Sequence, residues 1–275
     1  MREAQLGEHA RRAARTYAAA ADHYSRGALG FWDRFGAATV ARLPLRPGDA
    51  VLDLCCGAGA SAIPAAHAVT PAGRVTGIDL AEPLLGLARA RAAREGAASA
   101  EFRLGDATRT GLDSGSFDAV VCVFGVFFVP DMAAFTAEMW RLVKPGGALA
   151  ITTWGPGLFE PANSVFWNAI GDVAPALFKA FNPWDKLTSE LALADLFRTA
   201  GTTAPTVEAV PGGHHLDHPD QFWEVVLGTG YRATVDALSD DERTRVRERV
   251  LGELTSRGVT ALRTDVVFGS ATRPR

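Results

Sequence analysis

The stretch Ala50-Val51-Leu52-Asp53-Leu54, followed by Cys55-Cys56-Gly57-Ala58-Gly59-Ala60-Ser61-Ala62, most constrains what this chain can fold into. A short apolar run carries one acid and then breaks into a glycine-bearing turn. An Ala-rich segment able to start a helix follows. Gly57 and Gly59 let the backbone turn tightly and let a ligand approach closely, because no Cβ stands in the way. The unpaired amides that open the next helix face the same spot. This strand–turn–helix predicts a nucleotide-type cofactor site at the first crossover of an α/β sheet.

Two cofactors compete for that turn. Gly57-Ala58-Gly59-Ala60-Ser61-Ala62 fits the dinucleotide pattern G-x-G-x-x-G/A, and Asp79 follows at the distance of a ribose-binding acid. A pyrophosphate, however, would bring two negative charges towards the Asp53 carboxylate, and like charges in a partly dry site repel. S-adenosylmethionine has no phosphates. Its methionine end carries an ammonium and its sulfur is a cation, so a carboxylate beside the turn suits it. The electrostatics favour S-adenosylmethionine over NAD.

Strands and helices alternate after this point, which predicts a parallel sheet. Strands are expected at 50–54, 74–78, 100–104, 117–123 and 148–154, with helices at about 60–69, 82–95 and 131–142. Two helices, 3–24 and about 31–42, precede them. Lys144-Pro145-Gly146-Gly147 reads as a helix stop. Beyond Trp154 a helix at 189–200 leads to a strand at about 205–210. A charged helix at 239–256 precedes a last strand, 262–269, expected to pair antiparallel with 205–210. No linker separates two units, so residues 1–275 read as one domain.

Composition narrows the function classes. A net charge of −3 over 275 residues gives no electrostatic footprint for nucleic acid or an anionic membrane. The longest apolar run, Ala119 to Val129, is too short to span a bilayer, and the N-terminal residues lack the apolar core of a secretory signal. The three cysteines have no metal-ligand spacing, and no metal is expected. A reduced, cytoplasmic protein is the plain reading, with the oligomeric state left open.

Four motifs stand in order: Val51-Leu52-Asp53-Leu54-Cys55-Cys56-Gly57-Ala58-Gly59, Gly77-Ile78-Asp79-Leu80, Gly105-Asp106-Ala107 and Lys144-Pro145-Gly146-Gly147. With Phe117-Asp118-Ala119-Val120-Val121 they resemble the class I S-adenosylmethionine-dependent methyltransferases, especially the small-molecule branch related to the ubiquinone and menaquinone C-methyltransferases. The resemblance covers about residues 10–155 well. It departs where Cys55 replaces the family's first glycine. The fold it implies is α/β and Rossmann-like: a seven-stranded, mostly parallel sheet with a final antiparallel strand and helices on both faces. Residues 1–45 would form an N-terminal helical lid, 46–154 the cofactor-binding core, and 155–187 and 212–258 substrate-cap insertions.

The resemblance also implies roles. Asp53 would hold the methionine ammonium, through water or directly. Cys55, Gly57 and Gly59 would line the methionine and ribose, and Asp79 would accept both ribose hydroxyls. Leu80 and Leu84 would wall the adenine, which Asp106 and the Ala107 amide would bond. The backbone at Cys122 and Val123 would meet the methionine end, and Tyr24 would belong to the closing lid. Structural alternatives stand beside these. Asp79 could cap a helix, Asp106 could form an Asx-turn, and Tyr24 could simply pack its helix. Asp118 reads as structural and Asp131 as a helix cap.

Methyl transfer from a sulfonium needs alignment first, and a base only if the acceptor must lose a proton. Phe124, Phe127, Phe128, Trp154 and Phe159 lie nearest the expected transfer point and suggest a small, apolar or aromatic acceptor; ordinary core packing is the alternative. His214, His215 and His218 are the candidates for a base, a solvated loop being the other reading. A base-gripping Asn/Asp-Pro-Pro-aromatic run is absent after the fourth strand, where Val123-Phe124-Gly125-Val126 stands, so nucleic acid is not expected as substrate. The alternatives to a methyltransferase are an NAD-dependent oxidoreductase and a protein of the same fold that binds S-adenosylmethionine without transferring methyl.

Overall fold

The computed structural model describes residues 7–24 and 27–275. Two helices, α1 (Glu8–Tyr24) and α2 (Phe31–Val40), come first; residues 3–6 of the expected first helix lie outside the described residues. Then β1 (Ala50–Leu54), α3 (Ala62–Val69), β2 (Arg74–Asp79), α4 (Glu82–Glu95) and β3 (Ala100–Leu104) alternate. β4 (Phe117–Val123), α5 (Met132–Leu142) and β5 (Val143–Trp154) continue the pattern. The remainder holds α6 (Ala162–Val173), α7 (Glu190–Thr199), β6 (Thr206–Val210), β7 (Gly213–His215), α8 (Gln221–Leu227), α9 (Arg232–Val235), α10 (Asp240–Ser256), β8 (Ala261–Arg263) and β9 (Val266–Thr272).

Seven strands form one sheet in the order β3-β2-β1-β4-β5-β9-β6. β1 to β5 pair in parallel, and β9 runs antiparallel to both β5 and β6. This is the expected Rossmann-like α/β sheet with its antiparallel strand. Every residue of β1 is buried, as an apolar central strand covered on both faces requires. The edge strand β3 instead exposes Glu101 and Arg103, charges that discourage edge-to-edge pairing. The order reverses between β1 and β4, and a crevice opens there at the carboxyl ends of the strands.

Two local expectations change. The single last strand divides into β8 and β9, because Asp265 turns the chain between them: its Oδ1 accepts from the Gly212 amide at 2.9 Å and its Oδ2 from Arg263 Nε at 2.7 Å. β8 then pairs with β7 in a small separate sheet. The helix-stop residues 144–147 also lie within β5, which begins at Val143 and takes up regular pairing with β4 only from Ala148.

Asp118 is structural, as expected. Its Oδ2 accepts from the Ala50 amide at 2.8 Å and from Lys144 Nζ at 2.7 Å, tying the starts of β1 and β5 to β4. Despite partial burial, these donors hold its carboxyl below the usual carboxylate range. A depressed carboxylate stabilises above its unfolded pKa and loses that contribution as pH falls. Asp118→Ala is therefore expected to lower stability by about 1–3 kcal/mol at neutral pH. Urea denaturation should show the gap between variant and parent shrinking in acid.

Candidate functional site

A pocket of about 270 Å³ lies at the crevice. Its floor comes from the turn after β1 (Cys55 to Gly57), its sides from Asp79, from Gly105 to Arg109 after β3, and from Val123 to Gly125 after β4. α1 crosses above and contributes Tyr17 and Tyr24. The two turns meet closely: a Cβ on Gly125 would lie 2.4 Å from the Cys55 Cβ, so only glycine fits there. Gly57 takes the left-handed φ of +52°, and an added Cβ would sit 3.2 Å from the Tyr24 hydroxyl. Cys55 adopts φ +60°, a conformation that costs a side-chain-bearing residue about 1–2 kcal/mol. The turn keeps the shape a glycine would give it.

The acids are arranged in series. Asp79 Oδ2 accepts from the Gly57 amide and Oδ1 from the Ala81 amide, both at 2.9 Å, so this carboxylate both shapes the turn and faces the pocket. Burial raises its pKa, and the amides pull it partly back. Asp106 also lines the pocket, with Oδ1 taken by the amide and hydroxyl of Thr108 at 2.9 and 2.7 Å. The Asx-turn and an outward-facing carboxylate oxygen thus coexist in one residue. Asp53 does not line the pocket. It lies behind Ser61, whose hydroxyl donates to Oδ2 at 2.7 Å.

Asp53 is 1 % exposed, and its Oδ1 has no hydrogen-bond partner among the described residues. Burial pushes its pKa up to about 7, a rise that Ser61 and the nearby Ala62 amide offset only in part. The buried indole nitrogen of Trp32, a pocket residue, likewise lacks a partner. One unfilled acceptor and one unfilled donor match the ammonium and carboxylate of an amino-acid head group. Asp79 and Asp106 offer acceptors suited to hydroxyls and an amino group. The residues present therefore fit S-adenosylmethionine, and none of the acids would welcome a pyrophosphate.

A family model described as a methyltransferase domain matches residues 51–147. A nocamycin O-methyltransferase of Saccharothrix syringae is 32% identical over 210 residues, covering 66% of this chain and 73% of that protein. A demethylmenaquinone methyltransferase of Lactococcus lactis is 32% identical over 200 residues, covering 68% and 78%. The chain belongs to the class I S-adenosylmethionine-dependent methyltransferases. The fold of this methyltransferase is also that of phosphoethanolamine N-methyltransferase 2 of Haemonchus contortus, solved with phosphomonomethylethanolamine and S-adenosylhomocysteine. That likeness has a TM-score of 0.60 at 18% identity and covers 98% of this chain and 61% of that one.

Of the residues expected in the methyltransferase site, Tyr24, Cys55, Gly57, Asp79, Leu80, Leu84, Asp106, Ala107, Val123, Phe124 and Phe128 line the pocket. Gly59 supports the turn from behind, against Ile63, and the Cys122 side chain is fully buried beneath it. Trp154 and Phe159 instead line a recess of only about 10 Å³, while Phe127 borders both that recess and a larger groove beyond Phe128. Trp154 stacks on Phe124 with ring centroids 3.8 Å apart, so much of this aromatic set is packed core.

The histidines are elsewhere. His214 stands edge-on to the buried Phe31 at 5.2 Å, and burial lowers its pKa. His215 is exposed, 4.0 Å from Asp217, and His218 is exposed in the following turn. None of the three lines the pocket: β7 carries His214 and His215, His214 packs against Phe31, and His218 follows beyond the strand. Sequence reasoning missed Tyr17 and Trp32. Their only signal was the aromatic content of two N-terminal helices, which does not say where those helices pack.

An acid whose folded pKa is raised binds its proton up to about pH 7, and a neighbouring cation favours the charged form. Binding S-adenosylhomocysteine at about pH 6 is therefore expected to release close to one proton. Calorimetry in buffers of differing ionisation enthalpy measures it. Asp53→Asn should abolish most of that release.

Proposed function

We propose that this methyltransferase moves the methyl group to a small, apolar or aromatic acceptor by in-line displacement, within one domain whose N-terminal residues 1–45 act as a lid. The observation that carries this reading is the junction at Tyr17 and Phe128. Both residues border the cofactor pocket and also the aromatic groove beyond it. Their rings meet edge to face at 5.4 Å. A methyl donor in the pocket and an acceptor in the groove would come into contact at this shared border, once the two rings part.

The cofactor supplies a sulfonium, whose positive charge already activates the methyl. The protein's work is then alignment and exclusion of water. Asp53 would anchor the ammonium, through Ser61 or an intervening water. Asp79 would hold the ribose, Asp106 and the Ala107 amide the adenine, and Leu80 and Leu84 its faces. Tyr24, stacked on Trp32 at 5.5 Å, would close over Gly57. Burial and the neighbouring Asp79 raise the Tyr17 pKa, so its hydroxyl stays protonated and can donate a hydrogen bond to an acceptor oxygen but not serve as a base.

In the groove, Tyr231 adds a second polar point. Its hydroxyl donates to Asn163 Oδ1 at 2.6 Å, and Asn163 Nδ2 donates to Glu160 Oε1 at 2.9 Å. The size of the site, the aromatic walls and the relatives' names favour a small molecule over nucleic acid. The free thiols of Cys55, Cys56 and Cys122 suit a reducing, cytoplasmic setting.

The test is formation of S-adenosylhomocysteine and a methylated product, followed by mass spectrometry, across a panel of phenols, hydroquinones and aromatic acids. Turnover that requires one of these supports the reading; turnover only with a nucleic acid or protein overturns it. With an accepted substrate, Asp79→Ala is expected to weaken cofactor affinity by about ten- to a hundredfold. Trp184→Ala should raise the acceptor KM and leave cofactor affinity unchanged. His214→Ala, His215→Ala and His218→Ala should each keep most of kcat/KM.

A further inference from the structure

Past Tyr17 and Phe128 the site continues into a groove of about 510 Å³. Trp167 and Trp184 wall it, and Phe181, 52 % exposed, stands at its mouth. Its charged lining is all of one sign. Arg12, Lys179 and Lys186 border it, and no aspartate or glutamate does. The chain carries a net charge of −3 and three lysines, Lys144, Lys179 and Lys186, so two of the three face this groove.

These cations lack counterions. Among the described residues, none of the three takes part in an ion pair, whereas Lys144 is paired with Asp118. Lys179 is half-buried; its Nζ donates to Thr234 Oγ1 at 2.8 Å and lies 5.7 Å from the centre of the Trp167 ring. Burial, and to a lesser degree the nearby Arg12, lowers its pKa. Lys186 Nζ lies 6.0 Å from the Phe181 ring. The nearest acid along the chain, Asp185, is turned back and accepts from the Asn182 amide at 2.7 Å. The Trp167 indole nitrogen is a further buried donor without a partner.

Lys179 is half-buried and Arg12 and Lys186 are exposed; like charges gathered along one groove repel, and each leaves donors unfilled. A flat ligand carrying an anion would satisfy both the donors and the rings. Resting on the reading of this groove as the acceptor site, we propose that the acceptor is an aromatic or apolar molecule bearing an anionic group such as a carboxylate. Lys179 and Arg12 hold that anion, Lys186 meets it at the mouth, and the ring lies against Trp184. Neither lysine borders the cofactor pocket, so the anion is an anchor at the end remote from the junction. It fixes which end of the acceptor reaches Tyr17 and Phe128.

The experiment uses the enzyme saturated with S-adenosylhomocysteine and titrates 2-naphthoate and 2-naphthamide, rings of one shape that differ in charge. Calorimetry is expected to show the carboxylate binding about tenfold more tightly than the amide. Raising ionic strength should weaken the carboxylate alone. The Lys179→Met, Lys186→Met double variant should lose the preference while naphthamide and S-adenosylhomocysteine bind as before. Lys186 is exposed, so Lys186→Met alone should fold normally and lose part of the preference. Equal affinities for the two probes, or a preference that survives the double substitution, overturn the anion anchor and leave the acceptor groove standing. Binding of neither probe removes the acceptor groove and the anchor together.

Discussion

A carboxylate buried with one oxygen unfilled is the feature around which the rest of the site is arranged. Asp53 is the penultimate residue of β1, every residue of which is buried, and burial pushes its pKa up to about 7. A hydrophobic residue there would pack a central strand better. The arrangement makes sense when a cation completes it, and S-adenosylmethionine brings an ammonium. Asp79, Asp106 and the glycine turn line the pocket in which the remainder of that ligand would lie.

The backbone carries the corresponding strain. Cys55 and Phe124 both take left-handed φ values, +60° and +55°, at the ends of the two strands that flank the crevice. Gly125 lets the turns meet, since any Cβ there would collide with Cys55. A local cost at two adjacent turns opens a ligand-sized gap between neighbouring strands. The aromatic core behind it, with Trp154 stacked on Phe124 and Trp32 edge-on to the same ring, holds that geometry rigid.

The sheet and the turns that line the pocket were legible because their signals are local. Each strand announces itself by an apolar run, and the pocket residues Asp79, Asp106 and Val123 lie within a few positions of a strand end. The groove beyond the pocket was not legible, because it is built from distant pieces. Tyr231 meets Asn163 across 68 positions, and Tyr17 reaches Phe128 from the first helix. No periodicity encodes such meetings. The place of the histidines was hidden for the same reason: His214-His215-Leu216-Asp217-His218 has the composition of a catalytic cluster, but it lies outside the pocket, where β7 pairs with β8. The division of the last strand turned on the side chain of Asp265, a hydrogen-bonding choice that hydrophobic pattern does not record.

The most direct test of this arrangement is a crystal structure of the enzyme bound to S-adenosylhomocysteine. The expected result has the ribose on Asp79, the adenine beside Asp106 and Ala107, the ammonium towards Asp53, and the sulfur facing the border that Tyr17 and Phe128 share with the groove. A ligand whose sulfur faces away from that border, or whose adenine occupies the groove beside Trp184, would contradict the assignment of the two halves of the site.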